Sequence, residues 1–190
     1  MLSSDGSQLD NNTAVRYVAT AIPHGTTFPV NRYRQIIVHA GLSKTGTSSI
    51  QDNCEKYRAL LQERGIVYPQ FRFGGEPFIT HSIPLTVAIT ARPGKYGLML
   101  RQRFPADVDD VMRSCREQMD HLLDKTKNDT LLLSTELIDS FDDKDMATLR
   151  AYLGPHTEQL RVVAYVRSPQ SALESLLQEL IPPLVRRLKA

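Results

Sequence analysis

The chain has 190 residues, 41% of them hydrophobic and 23% charged, with a formal net charge of +2. The apolar content suffices for one core, and the basic excess is too small to imply a nucleic-acid partner. The cysteines and scattered histidines have no metal-ligand spacing, and no apolar run is long enough to span a membrane.

Residues 1–32 are polar, contain Pro23 and Pro29 and hold no helical period, which predicts a flexible or irregular N-terminal arm. Tyr17-Val18-Ala19 is a candidate short strand within it. The first residues lack the charged and apolar regions of a secretory signal, so a cytoplasmic setting is expected. Residues 33–190 form one predicted domain. It opens with an apolar strand, Gln35-Ile36-Ile37-Val38-His39-Ala40, that runs into Gly41-Leu42-Ser43-Lys44-Thr45-Gly46-Thr47-Ser48 and then directly into a helix. Backbone N–H groups, a helix N-terminus, hydroxyls and one cation converge there, which is the chemistry of a phosphate cradle. A nucleoside-triphosphate P-loop reads G-x-x-x-x-G-K-[ST]. Gly41 and Gly46 keep that spacing, but Thr47 stands where the lysine belongs and Lys44 precedes Gly46. The loop suits phosphate but is not built for Mg-ATP.

Ile50, Cys54, Tyr57 and Leu61 repeat at helical spacing and predict a helix over 47–64, stopped by Gly65. Ile66-Val67-Tyr68 is a short strand ended by Pro69, residues 70–79 read as a loop, and 81–91 as a helix with Pro84 in its first turn. After a second loop, residues 106–125 give the clearest helix, with Val108, Val111, Met112, Cys115, Met119, Leu122 and Leu123 on one face. Cys54 and Cys115 both fall on apolar stripes, which suits core packing in a reducing compartment. Thr130-Leu131-Leu132-Leu133-Ser134 is a buried strand, and Asp142 or Asp143 caps a helix through Leu153. Leu160-Arg161-Val162-Val163-Ala164-Tyr165-Val166 reads as a buried parallel strand. Ser168 and Pro169 then open a helix whose apolar stripe is Leu173, Leu176, Leu177 and Leu180. Strands alternating with helices imply an α/β fold, a P-loop-like three-layer sandwich with a central parallel sheet flanked by helices. Ligands of such sheets bind at the C-terminal strand ends.

The core Lys44-Thr45-Gly46-Thr47-Ser48 resembles the 5′-phosphosulfate loop, K-[ST]-G-T-[ST], of sulfotransferases that use 3′-phosphoadenosine 5′-phosphosulfate (PAPS). Ser43 replaces the family's usual proline, and Ser49-Ile50-Gln51 looks most like bacterial members, including those acting on carbohydrates. Arg167 and Ser175, eight residues apart, match the family's 3′-phosphate clamp. An arginine fork and a hydroxyl suit that group chemically. The resemblance covers about residues 34–180 and implies the same α/β plan. Family members continue with further helices and a basic loop, whereas this sequence stops fifteen residues after Ser175. A C-terminally truncated sulfotransferase domain, with an apolar edge open to self-association, is the corresponding expectation.

The resemblance implies in-line transfer of a sulfuryl group from PAPS to a hydroxyl acceptor, a carbohydrate or small metabolite, without a metal. Positioning and charge stabilisation dominate such chemistry. Lys44 assists the leaving phosphate, and Thr45, Gly46, Thr47 and Ser48 hold it. A base must take the acceptor proton. Glu136, just after the strand 130–134, and His81, at the start of a predicted helix, are the two candidates, with Glu76 a third. The alternatives from other classes are a P-loop kinase or NTPase, and a non-catalytic remnant of the sulfotransferase fold.

Overall fold

A computed structural model of the chain describes residues 32–41, 45–78, 80–89, 102, 108–124, 130–165, 168, 170, 173–174 and 177. Lys44, Arg167, Ser175, the arm 1–31 and the loop from 92 lie outside the described residues. Four parallel strands form the main sheet: β1 (Gln35–Ala40), β2 (Ile66–Val67), β5 (Thr130–Thr135) and β6 (Leu160–Ala164), in the spatial order β2-β5-β1-β6. The register sets Ala40 opposite both Thr135 and Ala164, so β1, β5 and β6 end level with one another. A two-stranded antiparallel hairpin, β3 (Arg72–Phe73) and β4 (Glu76–Pro77), stands apart. Sequence patterning reads this hairpin as loop, because strands of two residues are too short to show a period. Gly74 and Gly75 turn it, both at positive φ.

The predicted helix 47–64 is two helices, α1 (Thr47–Lys56) and α2 (Arg58–Glu63), broken at Tyr57. The expected stripe of Ile50, Cys54, Tyr57 and Leu61 is at most half-buried, and α1 buries Thr47 and Gln51 instead. Gly65 at positive φ follows α2, and its carbonyl accepts from the Thr130 N–H at 2.8 Å. α3 (Ser82–Ile89) is buried at every position. Pro84 lies in its first turn, where no intrahelical N–H is lost. α4 (Val108–Asp124) buries Val111, Cys115, Met119 and Leu123, a strict four-residue repeat. α5 (Asp143–Leu153) starts from a capping box: the Asp142 carboxylate accepts from the Lys144 and Asp145 N–H groups, and Asp145 returns the bond to the Asp142 N–H.

The strand order fixes which helices cover which face. The chain moves one way from β1 to β2, then the opposite way from β2 to β5 and on to β6. Right-handed crossovers therefore put α1 and α2 on one face of the sheet and α3, α4 and α5 on the other. Contacts agree: α3 packs on α4, α5 and β5. On that face Ile36, Val38, Leu131 and Leu133 join the core with the α4 residues and with Leu149 and Leu153 of α5. The opposite face carries His39 and Ser134, and Gln51 of α1 reaches Ser134. Among the described residues no helix is long and apolar enough to cross a membrane.

Candidate functional site

β1 and β5 are neighbours whose following helices go to opposite faces. A crevice therefore opens beyond their C-terminal ends, the place where open α/β sheets take ligands. Gly41 leaves β1 there, Glu136 leaves β5, and Tyr165 leaves β6.

The entry to α1 is shaped by two glycines. Gly46 is the residue before the first turn and sits at φ 82, ψ 19, a left-handed conformation that glycine adopts without steric cost. Gly41 has no such backbone demand, yet a Cβ there would lie 2.3 Å from both Thr47 Oγ1 and Cγ2 and 2.8 Å from Thr47 Cβ. Strand end and helix start are in close approach, and only a hydrogen fits between them. The Gly41 N–H donates to the Thr135 carbonyl at 2.7 Å, which ties the loop's first residue to the end of β5. Thr45 Oγ1 lies 3.4 Å from Thr47 Oγ1; Thr47 is buried, while Gly46 and Ser48 are exposed. Four of the five cradle residues, Thr45, Gly46, Thr47 and Ser48, thus form the turn and first residues of a ten-residue helix with a glycine entry. The positive end of the helix dipole and its unpaired N–H groups face that entry.

The two candidate bases belong to one structural unit but differ in access. His81 is 3% exposed. β2 is too short to pair with the end of β5, and His81 takes its place: the His81 N–H donates to the Ser134 carbonyl at 3.2 Å, and the Ser134 N–H donates to His81 Nδ1 at 3.1 Å. Because Nδ1 accepts, the ring proton is on Nε2, which donates to the Pro69 carbonyl at 2.9 Å. Tyr68 and Phe71 flank the ring at 4.4 and 5.4 Å between centroids. Burial pushes the imidazole pKa down to about 4, so it is neutral at pH 7. Both ring nitrogens are engaged with backbone, and His81 serves here as a splice between β2 and β5. Its neighbour Ser82 accepts from the Glu136 N–H at 3.0 Å. Glu136 itself is exposed, at the crevice. His81 and Ser82 therefore hold the backbone from which Glu136 projects.

A buried polar group that the sequence pattern does not single out lies beneath the cradle. His39 Nδ1 is 2.8 Å from Ser134 Oγ, and Gln51 Nε2 donates to the same oxygen at 3.2 Å. His39 is 4%, Ser134 1% and Gln51 2% exposed. The signal was present in the strands themselves: both QIIVHA and TLLLST place a polar side chain at the next-to-last position, and the register sets these two residues side by side. Burial lowers the His39 pKa below its usual value. Its ring meets Tyr165 edge-on at 5.8 Å. Among the described residues no group of three or more His, Cys, Asp or Glu is placed to hold a metal ion. Comparison with protein-family models, with curated proteins and with solved structures gave no match.

Proposed function

We propose that the chain binds a 3′-phosphorylated adenine nucleotide at the β1–α1 turn and is a sulfotransferase domain of the PAPS-dependent type, on a P-loop-like fold. The observation that carries this reading is the Gly41–Thr47 close approach. Position 47 holds the lysine in a nucleoside-triphosphate P-loop. Here it is a buried threonine pressed against strand-end backbone. The cation of the cradle is then Lys44, ahead of Gly46, as in the 5′-phosphosulfate loop it resembles. Arg167 and Ser175, after β6, supply the 3′-phosphate clamp.

In the reaction the acceptor oxygen forms a bond to sulfur as the bond from sulfur to the phosphate oxygen breaks. The electron pair leaves with the nucleotide phosphate, and the acceptor's proton goes to a carboxylate. Lys44 and the α1 terminus offset the growing phosphate charge. Glu136 is the better base: it is exposed at the crevice, whereas the His81 nitrogens are taken by Ser134 and Pro69. The acceptor is a hydroxyl of a carbohydrate or small metabolite.

One observation favours a second reading, a kinase or NTPase. A carboxylate one strand away from the cradle is also where a magnesium-binding acid would stand. Calorimetric titration with adenosine 3′,5′-bisphosphate, against 5′-ADP with and without magnesium, separates the two. Metal-independent preference for the bisphosphate is expected. Preference for Mg-ADP transfers the site to the second reading, and binding of neither by the folded chain indicates a non-catalytic remnant.

A further inference from the structure

The His39–Ser134–Gln51 group leaves one polar atom without a counterpart. His39 Nε2 is buried and has no hydrogen-bond partner among the described residues. Leaving a buried donor or acceptor unmet is costly, so such an atom in a folded protein calls for an explanation. The hydrogen bonds around Ser134 bear on what the atom is. The Gln51 amide nitrogen donates to Ser134 Oγ, which leaves the hydroxyl proton free to donate to His39 Nδ1. With Nδ1 accepting, the ring proton sits on Nε2, and the unmet group is a neutral N–H donor.

Its place is also fixed. His39 pairs in register with Val163, but its ring meets Tyr165, two residues farther along. The ring therefore leans toward the C-terminal edge of the sheet. It does so on the face covered by α1, where Gln51 and, one turn earlier, Thr47 are the buried residues. That is the underside of the glycine entry to α1. We infer that His39 is a ligand-binding residue whose Nε2–H donates to a phosphate or sulfuryl oxygen of the nucleotide seated at the α1 N-terminus. The inference rests on the nucleotide reading above and adds a contact to it. A neutral donor suits the position: it orients an oxyanion without adding a buried charge of its own. Ser134 and Gln51 are positioning residues, holding the tautomer and fastening α1 to β5.

The test uses the whole chain with 15N-labelled histidine. Long-range 1H–15N spectra report the His39 tautomer and the Nε2–H shift, assigned by loss of the signal in His39→Asn. The probe is adenosine 3′,5′-bisphosphate, with adenosine as the control lacking phosphate. The expected result is an Nε2-protonated ring whose Nε2–H resonance shifts with the bisphosphate and not with adenosine. His39→Asn, which keeps an acceptor for Ser134 but removes Nε2–H, should weaken the bisphosphate about tenfold. His39→Gln, which returns an N–H near the Nε2 position, should recover part of that loss. The wild-type spectra stand even where a variant fails to fold. If the bisphosphate binds while the His39 resonance stays unmoved, the inference falls and the nucleotide reading survives. If the folded wild type binds no bisphosphate, both fall.

Discussion

Gly41→Ala tests the close approach on which the site reading depends, and its sign alone is informative. Gly41 is not at positive φ, so alanine is conformationally allowed there. In open space the exchange would stabilise the protein by about 0.4–1 kcal/mol, because it restricts the unfolded chain. The structure predicts the reverse. The new methyl would lie 2.3 Å from Thr47 Oγ1 and Cγ2 and 2.8 Å from Thr47 Cβ. Rotation about χ1 relocates the first two atoms but not Cβ, which moves only with the backbone of α1. Ordinary contact begins at 3.4 Å, so the helix start must retreat by the difference from 2.8 Å. Overpacking of this kind costs about 1–3 kcal/mol. Urea unfolding of wild type, Gly41→Ala, Thr47→Ala and the double variant gives the coupling. Gly41→Ala should be destabilised by about 1–3 kcal/mol, with part of the loss recovered in the Thr47→Ala background. A single variant as stable as wild type or more so, with unchanged m-value, would refute the contact on which the reading of this turn rests.

Glu136→Gln should abolish sulfuryl transfer while bisphosphate affinity stays within about twofold by calorimetry, since the exchange removes a proton acceptor and little else; an active variant returns the base role to His81. Lys44→Ala should lower kcat by more than about a hundredfold, the scale seen on removing one group that stabilises transition-state charge, with a smaller effect on nucleotide affinity; equal losses in both would contradict its leaving-group role. His81 carries a pH prediction. Its folded pKa of about 4 lies below the unfolded value of 6.5, so the unfolded state binds the proton first as pH falls. Stability is then full above about pH 6.5, declines between there and about pH 4, and the contribution lost is about 3 kcal/mol. Urea midpoints of wild type and His81→Phe across this window should show the steeper decline in wild type, although the variant is less stable at pH 7 because it leaves the Ser134 N–H and the Pro69 carbonyl unpaired.

What the sequence made legible was long and periodic. The stripe of α4, the apolar runs of β1 and β5 and the Asp142 cap each combine several residues that agree. The helix after Gly46 was legible only at its start. Its stripe suggested 18 continuous residues, but the backbone leaves the helical conformation at Tyr57 (φ −107, ψ 24), which is 46% exposed. Local spacing of apolar residues cannot report whether a partner surface exists for them. Residues of the later stripe show the same limit: Leu173 and Leu177 are exposed at 56% and 44%. At the site, the turn into α1 was readable because Gly46 carries its conformational demand in the residue type. The role of His81 was not readable. It depends on β2 being only two residues long, Ile66–Val67, so that β5 needs another partner, and on which backbone groups then face the imidazole.

The placement of the two base candidates bears on what the site can do. A histidine whose Nδ1 accepts from backbone and whose Nε2 donates to backbone can take an acceptor's proton only after a strand-end hydrogen bond breaks. That bond is the one holding Ser134, two residues before Glu136. Using His81 as base would therefore loosen the carboxylate beside it and the Ser134 hydroxyl that anchors α1 through Gln51. A site that must keep reacting atoms within a few tenths of an ångström gains nothing from a proton acceptor coupled to its own scaffold. Glu136 has no such conflict. Its backbone is pinned by Ser82 while its side chain is exposed, which is the division of labour a general base needs: a fixed origin and a free functional group. The same logic extends to β1. Gly41 and His39 are held by Thr135 and Ser134 respectively, so the proposed cradle and the proposed base share one strand, β5, as their common support.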